Sequence, residues 1–409
     1  MRKSVWMAAA ALLALPMLAQ AEPGLPDAAA VAAALDAHPA VIAAQARTAA
    51  AKAEATALAR GTHEFTLTAG YTNRTVDREG RFNEYDALLT RPMRLPGKAR
   101  LDREIGTYGV SAAENRAEDA RHQTALLLAQ SWWDWLGAAE EARVDKQAVE
   151  NYTTMLAAVR RRVALRDAAQ LEADQAEAAL GAARLAAGLS AGREAVARAR
   201  LVAQFPGLAL PALAPDVPRP ELPADSIEVF GEKIVARSHE IAAAQAEALR
   251  LGSVAARVKQ DRIADPSVGL RVLSERNGAE RGAGVVFSMP LGGGHRRALS
   301  DRAGAEASAA QAELAAARFA VNEMATTDMA DARYRHEAWV RAREGLDAQV
   351  AALLKLRRGQ QAGEVGLADV LLAERQVHDA FRAEALARAE SGRALTRLRI
   401  DSHELWISE

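Results

Sequence analysis

The sequence predicts a mainly α-helical protein with a small amount of β-structure, built from a duplicated unit of long helices and two strands. Two alanine-rich stretches without proline, Ala99–Arg162 and Arg296–Arg358, predict helices about 95 Å long at 1.5 Å per residue. Short runs of alternating apolar and polar residues precede both stretches. Helices of this length need lateral partners, as in a coiled coil or a helical barrel.

The duplication is visible in four pairs of landmarks whose offset drifts slowly from 201 to 197 positions. The pairs are His38 with His239, Gln45 with Gln245, Pro92 with Pro290, and Arg100 with Arg297. A steady offset favours duplication over chance similarity. Each copy has a first helix, two strands, a long helix and a last helix. The first helices are predicted at Asp27–Arg60 and Ser226–Arg262, and the last helices at Leu171–Gln204 and Leu367–Asp401.

Three boundaries divide the chain. Residues 22–204 form the first copy and residues 226–409 the second. Between them, Phe205–Asp225 contains six prolines, which predicts an extended linker rather than a helix or an inner strand. Residues 1–21 have the order of a secretory signal peptide, with a charged start, an apolar run and a small-x-small cleavage site after Ala21.

The composition narrows the classes of function. The formal net charge is −1, so no basic excess indicates nucleic-acid binding. The chain has no cysteine, which excludes disulfides and thiolate sites. The eight histidines are dispersed in the sequence, and none begins a strong ligand motif. We therefore predict no enzyme activity, no resident metal and no cofactor. The aromatic run "SWWDWLG" from Ser131 is interpreted as packing between helices.

The strand-like runs have one apolar and one polar face. Phe65, Leu67, Ala69 and Tyr71 alternate with polar or small residues, and the runs "SVGLRVL" and "GAGVVFSM" follow the same period of two. Runs of roughly 9–10 residues are long enough to cross a bilayer in a tilted barrel. A surface hairpin packed on a soluble core has the same pattern, so both interpretations stay open at this point.

The strand that ends in Pro-Leu-Gly and enters an arginine- and alanine-rich helix, "FSMPLGGGHRRALSDRA", resembles the TolC family of outer-membrane efflux channels over nearly the whole mature chain. The resemblance implies strand-to-helix turns at Pro92, Gly97, Pro290 and Gly292. The segments "RPMRLPGKARLDR" and "RVALRDAAQLEADQAEAAL" are similar to the heavy-metal, CzcC-like branch. In the second segment, Arg166 stands where that pattern usually has glycine.

The resemblance implies a TolC-like architecture, in which three copies share a twelve-stranded β-barrel on an α-helical barrel. The chain would lie in the outer membrane of a Gram-negative type of cell, in contact with its lipid, with the helices in the periplasm. It would be a passive exit duct for metal ions or small toxic compounds, working with a periplasmic adaptor and an inner-membrane pump. The alternative is a soluble periplasmic adaptor built on a long helical hairpin.

The same resemblance implies roles for the ends of the helices. "RRGQQAGEVGLADVLLAERQ" looks like the family's second helix turn, so Asp369 is a candidate for the gate of the lumen, although Leu372 stands where the family has a second aspartate. A carboxylate that only interacts with the helix dipole is the alternative for Asp369. The candidates for contact with an adaptor are Arg166, Asp167, Leu171, Gly363 and Leu367.

Overall fold

The computed structural model describes residues 23–407, and the predicted signal peptide lies outside these described residues. The helices, in chain order, are α1 (Ala28–Asp36), α2 (Pro39–Arg60), α3 (Lys98–Ala164), α4 (Gln170–Gln204), α5 (Ile227–Ala236), α6 (His239–Gln260), α7 (Gly294–Gln361) and α8 (Leu367–Asp401). The strands are β1 (Thr66–Val76), β2 (Gly80–Pro92), β3 (Ser267–Glu275) and β4 (Glu280–Ser288).

The two long helices predicted from the sequence are confirmed and are slightly longer than expected. Helix α3 has 67 residues and helix α7 has 68, which corresponds to about 100 Å each at 1.5 Å per residue. Each long helix turns at its far end and packs against the helix that follows it, α3 against α4 and α7 against α8. Two long helical hairpins therefore dominate the described chain.

The first helix of each copy is broken, which corrects the prediction of single helices at Asp27–Arg60 and Ser226–Arg262. In the first copy His38 precedes a proline and is extended, because the proline ring disfavours the helical region for the preceding residue. In the second copy Ser238 is extended, and its hydroxyl accepts a hydrogen bond from the Ile241 N–H as an N-cap. Each break starts a new helix.

The four strands form one antiparallel sheet in the order β1-β2-β3-β4. Strands β2 and β3 come from different copies and pair with Leu89 opposite Leu270. The two strand hairpins are therefore joined at the centre of the sheet, while β1 and β4 are its edges.

The main core lies where the helices of both copies meet. Trp132, Trp133 and Trp135 are all buried there, which confirms the prediction that this aromatic run packs between helices. The Trp133 Nε1–H donates to Thr396 Oγ1 at 3.0 Å, connecting α3 to α8. Residues 205–225 contain no helix or strand, as predicted, but they also contribute Phe205 and Val217 to this core.

None of the described helices is, taken singly, long and apolar enough to cross a membrane. Helices α1 and α2 meet the length and composition requirement together, but they are bent by 59° at the break between them.

Candidate functional site

The sheet has an apolar face that is exposed to solvent. Ten large apolar side chains on this face have between 37% and 73% of their surface exposed. They are Phe65, Leu67, Tyr71, Tyr85, Leu89, Val268, Leu270, Val272, Val285 and Phe287. The register aligns them in rows, so that Leu67, Leu89, Leu270 and Val285 are neighbours across all four strands.

The opposite face carries most of the polar side chains of the strands; Thr66, Thr68 and Arg271 on it are exposed, and it is better covered along β2. Along β2, Glu84 and Asp86 are half-buried, whereas Tyr85 and Leu89 on the other face are exposed. In a sheet that packs on a soluble core the apolar face is the covered one. In this sheet the apolar face is exposed, and its strands contact one another rather than packing broadly on any of the helices α1–α8.

Aromatic and polar side chains border the apolar rows at both ends. At the hairpin end Tyr71 lies opposite Tyr85, and the Tyr71 hydroxyl donates to Asn83 Oδ1 at 2.9 Å. At the helix end the Arg91 guanidinium lies 4.9 Å from the centre of the Phe65 ring. Apolar bands flanked by aromatic residues are typical of lipid-facing strands, because amphipathic rings favour the interface.

The strands end at a turn that is held by buried charge. Gly97 has φ 89°, a left-handed conformation that favours glycine, and α3 begins at the next residue. The Lys98 side chain is 1% exposed, and its Nζ lies 2.8 Å from both Asp261 Oδ1 and Asp265 Oδ1. Lys98 therefore ties the start of α3 to the segment between α6 and β3.

The equivalent turn after β4 contains Pro290 and Gly292 outside regular structure. A Cβ on Gly292 would lie 2.6 Å from the Arg262 carbonyl oxygen, so a side chain cannot fit there without movement of the backbone. The Arg296 guanidinium donates to the Asp261 carbonyl at 2.6 Å and fixes the start of α7. Of the predicted turn residues, Gly97, Pro290 and Gly292 lie between strand and helix, and Pro92 is the last residue of β2.

The far ends of the two long hairpins have the same backbone geometry. At the end of α3, the Arg166 N–H donates to the Val163 carbonyl and the Asp167 N–H to the Arg162 carbonyl, at 2.9 and 2.8 Å. The Gly363 N–H and the residue that follows it repeat this pair of bonds at the end of α7. Both are Schellman caps, which place one residue in the left-handed region. Arg166 has φ 62° and Gly363 has φ 79°, so the arginine occupies the glycine position of the motif.

Four of the five predicted contact residues are accessible at these ends. Arg166, Asp167, Leu171 and Gly363 are exposed, and Arg162 Nε donates to Asp167 Oδ2 at 3.0 Å. Leu367 is different: it is buried in a cluster with residues of α3 and α4. Its side chain packs between the two hairpins and is not accessible to a partner protein.

The gate candidate Asp369 is exposed in the first turn of α8. A carboxylate at this position interacts favourably with the helix dipole, whatever else it does. Leu372, one turn further along, is also exposed.

A buried polar cluster lies between the helices of the two copies, and the sequence did not predict it. Asp328 Oδ1 is 2.9 Å from Arg397 Nε, and His122 Nε2 is 2.8 Å from Asp401 Oδ1. Burial raises the pKa of Asp328 to about 8, together with a hydrogen bond and negative charge from Asp401. Burial alone would raise the pKa of Asp401, but hydrogen bonds from His122 and Asp328 outweigh it and lower the pKa. Asp328 is therefore the protonated member of the pair.

Beside this pair, Asp119 and Glu240 approach His122. Burial and the charge of Glu240 raise the pKa of Asp119. Burial alone would lower the pKa of His122, but the hydrogen bond and charge of Asp401 raise it above its ordinary value. His239 and His403 lie next to the same group, with ring centroids 4.9 Å apart. Three of the histidines that are dispersed in the sequence are thus neighbours in the fold.

Comparison with known proteins establishes the fold. No family profile matches the chain, and no curated protein matches it. The outer-membrane channel OprN superposes with a TM-score of 0.78 at 20% identity, over 92% of this chain and 90% of that one. CusC, described for its transmembrane channel formation, gives 0.76 at 14% identity over 91% of each chain. The open Neisseria gonorrhoeae MtrE outer membrane channel gives 0.71 at 16% identity, over 93% and 89%.

The chain therefore has the fold of these outer-membrane channels, and the TolC-like architecture of a single subunit predicted from the sequence is confirmed. The heavy-metal branch is not distinguished from the other channels by these likenesses, and it stays a prediction.

Proposed function

We propose that the chain is the subunit of an outer-membrane channel for efflux, with the sheet in the membrane and the helical hairpins in the periplasm. The observation that supports this most strongly is the exposed apolar face of the sheet. Burial of such a face in lipid removes its apolar side chains from water. The strands have 11, 13, 9 and 9 residues, and about 9–11 residues cross a bilayer when tilted.

The unpaired edges of the sheet support assembly with other copies. Strands β1 and β4 have no strand partner on their outer sides within the described chain. In a membrane those backbone groups must be satisfied, which requires a closed barrel. Four strands are too few to enclose a channel. Three copies would supply twelve strands, and their helical hairpins would surround a tunnel below the barrel.

In this role the chain carries out no chemistry. Energy and selection would come from an inner-membrane pump, coupled through a periplasmic adaptor to the ends of the hairpins. The transported solutes would be metal ions or small toxic compounds. The signal peptide, cleaved after Ala21, would direct the chain out of the cytoplasm.

The soluble adaptor is the less favoured alternative. An adaptor's strands would bury their apolar face against the rest of the protein, whereas here that face is exposed on all four strands. Membrane fractionation separates the two functions. We expect the mature chain, starting at Glu22, in the outer-membrane fraction, and recovery as a soluble monomer without detergent would reject the channel.

Assembly can be tested with cysteines, because the natural chain has none and gives no background. A double variant with one cysteine at Ala69 in β1 and one at Ala283 in β4 has one thiol on each edge strand. A panel that shifts the β4 position by two residues samples the possible registers. We expect at least one pair to give a crosslinked trimer in membranes. A control pair at Ala87 and Ala283 uses the inner strand β2 and should give no crosslink between subunits.

Docking of an adaptor can be tested at the two Schellman caps. We expect cysteines at Arg166 and Gly363 to crosslink in cells to cysteines at the tip of the adaptor. Control cysteines at Arg78 and Asn277 lie in the strand loops, at the opposite end of the molecule. Efficient crosslinking only from the strand loops would reject the proposed orientation.

The proposed gate depends on Asp369. Three copies around one axis would form a ring of carboxylates that attracts cations. Asp369→Asn should then lower cation selectivity and weaken block by multivalent cations in planar bilayers, most strongly at low salt. Asp379→Asn removes an exposed carboxylate further along α8 and is the matched control. Equal selectivity of wild type and Asp369→Asn at low salt would leave Asp369 with the helix-dipole role alone.

A further inference from the structure

Three side chains with metal-binding atoms converge between the two copies of the repeat. Asp119 and His122 are three residues apart on α3, so they lie on one face of that helix. Glu240 lies in the first turn of α6. One ligand atom from each of the three residues lies within 4.8 Å of the other two.

The His122 ring is buried, with 2% of its surface exposed. Nε2 lies 2.8 Å from Asp401 Oδ1, and neither ring nitrogen has a hydrogen bond of favourable geometry in the described protein. A histidine that binds a metal usually donates its other ring N–H to a carboxylate, which fixes the ring and increases its basicity. Asp401 lies close enough to hold the His122 ring in this way, and the other ring nitrogen is then available to a ligand.

The two carboxylates are also held in place. Ser238 Oγ donates to Glu240 Oε2 at 2.8 Å, and Gln123 Nε2 lies 3.3 Å from Asp119 Oδ1 and 3.4 Å from Glu240 Oε1. Within residues 23–407, no lysine or arginine forms an ion pair with Asp119 or Glu240. Two adjacent carboxylates repel each other, and a cation between them removes that repulsion.

We propose that Asp119, His122 and Glu240 bind one divalent transition-metal cation of the Zn²⁺ type. One imidazole nitrogen and two carboxylate oxygens suit Zn²⁺, with water at a fourth position, better than Ca²⁺ or Mg²⁺, which prefer oxygen ligands alone. Bonds of about 2.1 Å in a tetrahedron place ligand atoms about 3.4 Å apart. The two half-buried carboxylates therefore need to close by little more than about 1 Å.

The site lies between helices α3 and α6 and includes no residue of the strands. The ion would connect α3 of the first copy to α6 of the second, and through His122 and Asp401 it would also support the end of α8. Its role is a structural crosslink in the helical body, and it does not depend on which solute the channel exports.

The site can be tested by titrating Co²⁺ and Zn²⁺ into the tag-free mature protein in detergent, after removal of metals with a chelator. We expect calorimetry to give one ion per chain, and Co²⁺ to give the intense visible absorption of a four-coordinate site. Zn²⁺ should also raise the midpoint of thermal unfolding, because it binds the folded state.

Three variants distinguish this site from adventitious binding. Asp119→Asn and Glu240→Gln each remove a ligand and should weaken binding by more than about 100-fold, and Asp401→Asn should weaken it by about 10- to 100-fold through the His122 ring. Because Asp119 and Glu240 are half-exposed, Asp119→Asn and Glu240→Gln should fold, and circular dichroism checks this for all three variants.

Glu228→Gln is the matched control, since Glu228 also lies in the first turn of a helix of the second copy but pairs with Arg333. It should bind the ion as tightly as the wild type. Absence of stoichiometric binding by the wild type would overturn the proposal. Unchanged affinity in both Asp119→Asn and Glu240→Gln would do the same.

Discussion

Replacement of Lys98 by methionine tests whether buried charge holds the strand-to-helix turn. The ammonium donates to the Ile263 carbonyl and to Asp265 Oδ1, both at 2.8 Å, and lies 2.8 Å from Asp261 Oδ1. Methionine keeps much of the volume but leaves these acceptors without the cation. Removal of one partner from a buried ion pair typically costs 3–5 kcal/mol, because the remaining charge is buried and unpaired.

The structure places the expected cost near the lower end of this range. Asp261 is 37% exposed and keeps Arg257 as a partner, so it contributes little to the loss. Asp265 is only 18% exposed, although it keeps a hydrogen bond from the Leu95 N–H. We therefore expect Lys98→Met to lower the free energy of unfolding by about 3 kcal/mol. The midpoint of thermal unfolding, followed by tryptophan fluorescence in detergent, should fall by several degrees.

The effect should depend on pH in a defined direction. Burial alone would raise the pKa of Asp265, but hydrogen bonds from Lys98 and the Leu95 N–H outweigh it and lower the pKa. A lowered carboxyl pKa stabilises the folded state above the unfolded value of about 3.9, and this contribution is lost as the pH falls further. The difference between wild type and variant should therefore shrink below about pH 4.

Lys52→Met is the matched control for this substitution. Lys52 Nζ lies 2.9 Å from Glu114 Oε1, but the two side chains are 58% and 50% exposed. Loss of an exposed pair costs at most about 1 kcal/mol. If Lys98→Met and Lys52→Met were equally stable at neutral pH, the reasoning about the turn would be refuted.

Three further predictions concern packing, backbone strain and protonation. A Cβ at Gly392 would lie 2.3 Å from the buried Trp133 ring, so Gly392→Ala should destabilise the fold by about 1–3 kcal/mol through overpacking and lower the midpoint of thermal unfolding. Gly188 has open space around it, so Gly188→Ala should raise that midpoint. Arg166→Gly should relieve the left-handed conformation and stabilise the protein by up to about 1 kcal/mol; a lower midpoint would contradict this. The pKa of Asp328 in the folded protein, about 8, lies above its unfolded value, so the stability of the wild type should fall as the pH rises from about 4 to 8. Asp328→Asn should make this loss of stability with rising pH smaller. If the stability of the two proteins changed with pH in the same way, Asp328 would not be protonated in the folded protein.

Local patterns in the sequence were sufficient for most of the secondary structure. Helix and strand depend on neighbouring residues, through the absence of proline and through periods of 3.6 or 2, so the long helices and the strands β1, β3 and β4 were predicted near their observed bounds. The turn at Arg166 is a further position where a sequence-based expectation agrees with the backbone geometry. The resemblance to the CzcC-like segment, rather than the local sequence, implies a glycine at this position, and the Arg166 backbone has φ 62°.

Helix breaks, burial and contacts between distant residues became visible only in the tertiary structure. No proline marks the helix break at Ser238 in the sequence. Leu367, which was expected at a contact surface, is buried between the hairpins. The alternating strands were compatible with a covered or an exposed apolar face, and the side-chain exposures in the fold show that this face is exposed. His122 and Glu240 belong to different copies, and neither residue lies in a recognisable ligand motif. Their proximity results from the packing of α3 against α6, because contacts between distant segments depend on how whole faces fit together rather than on any short sequence.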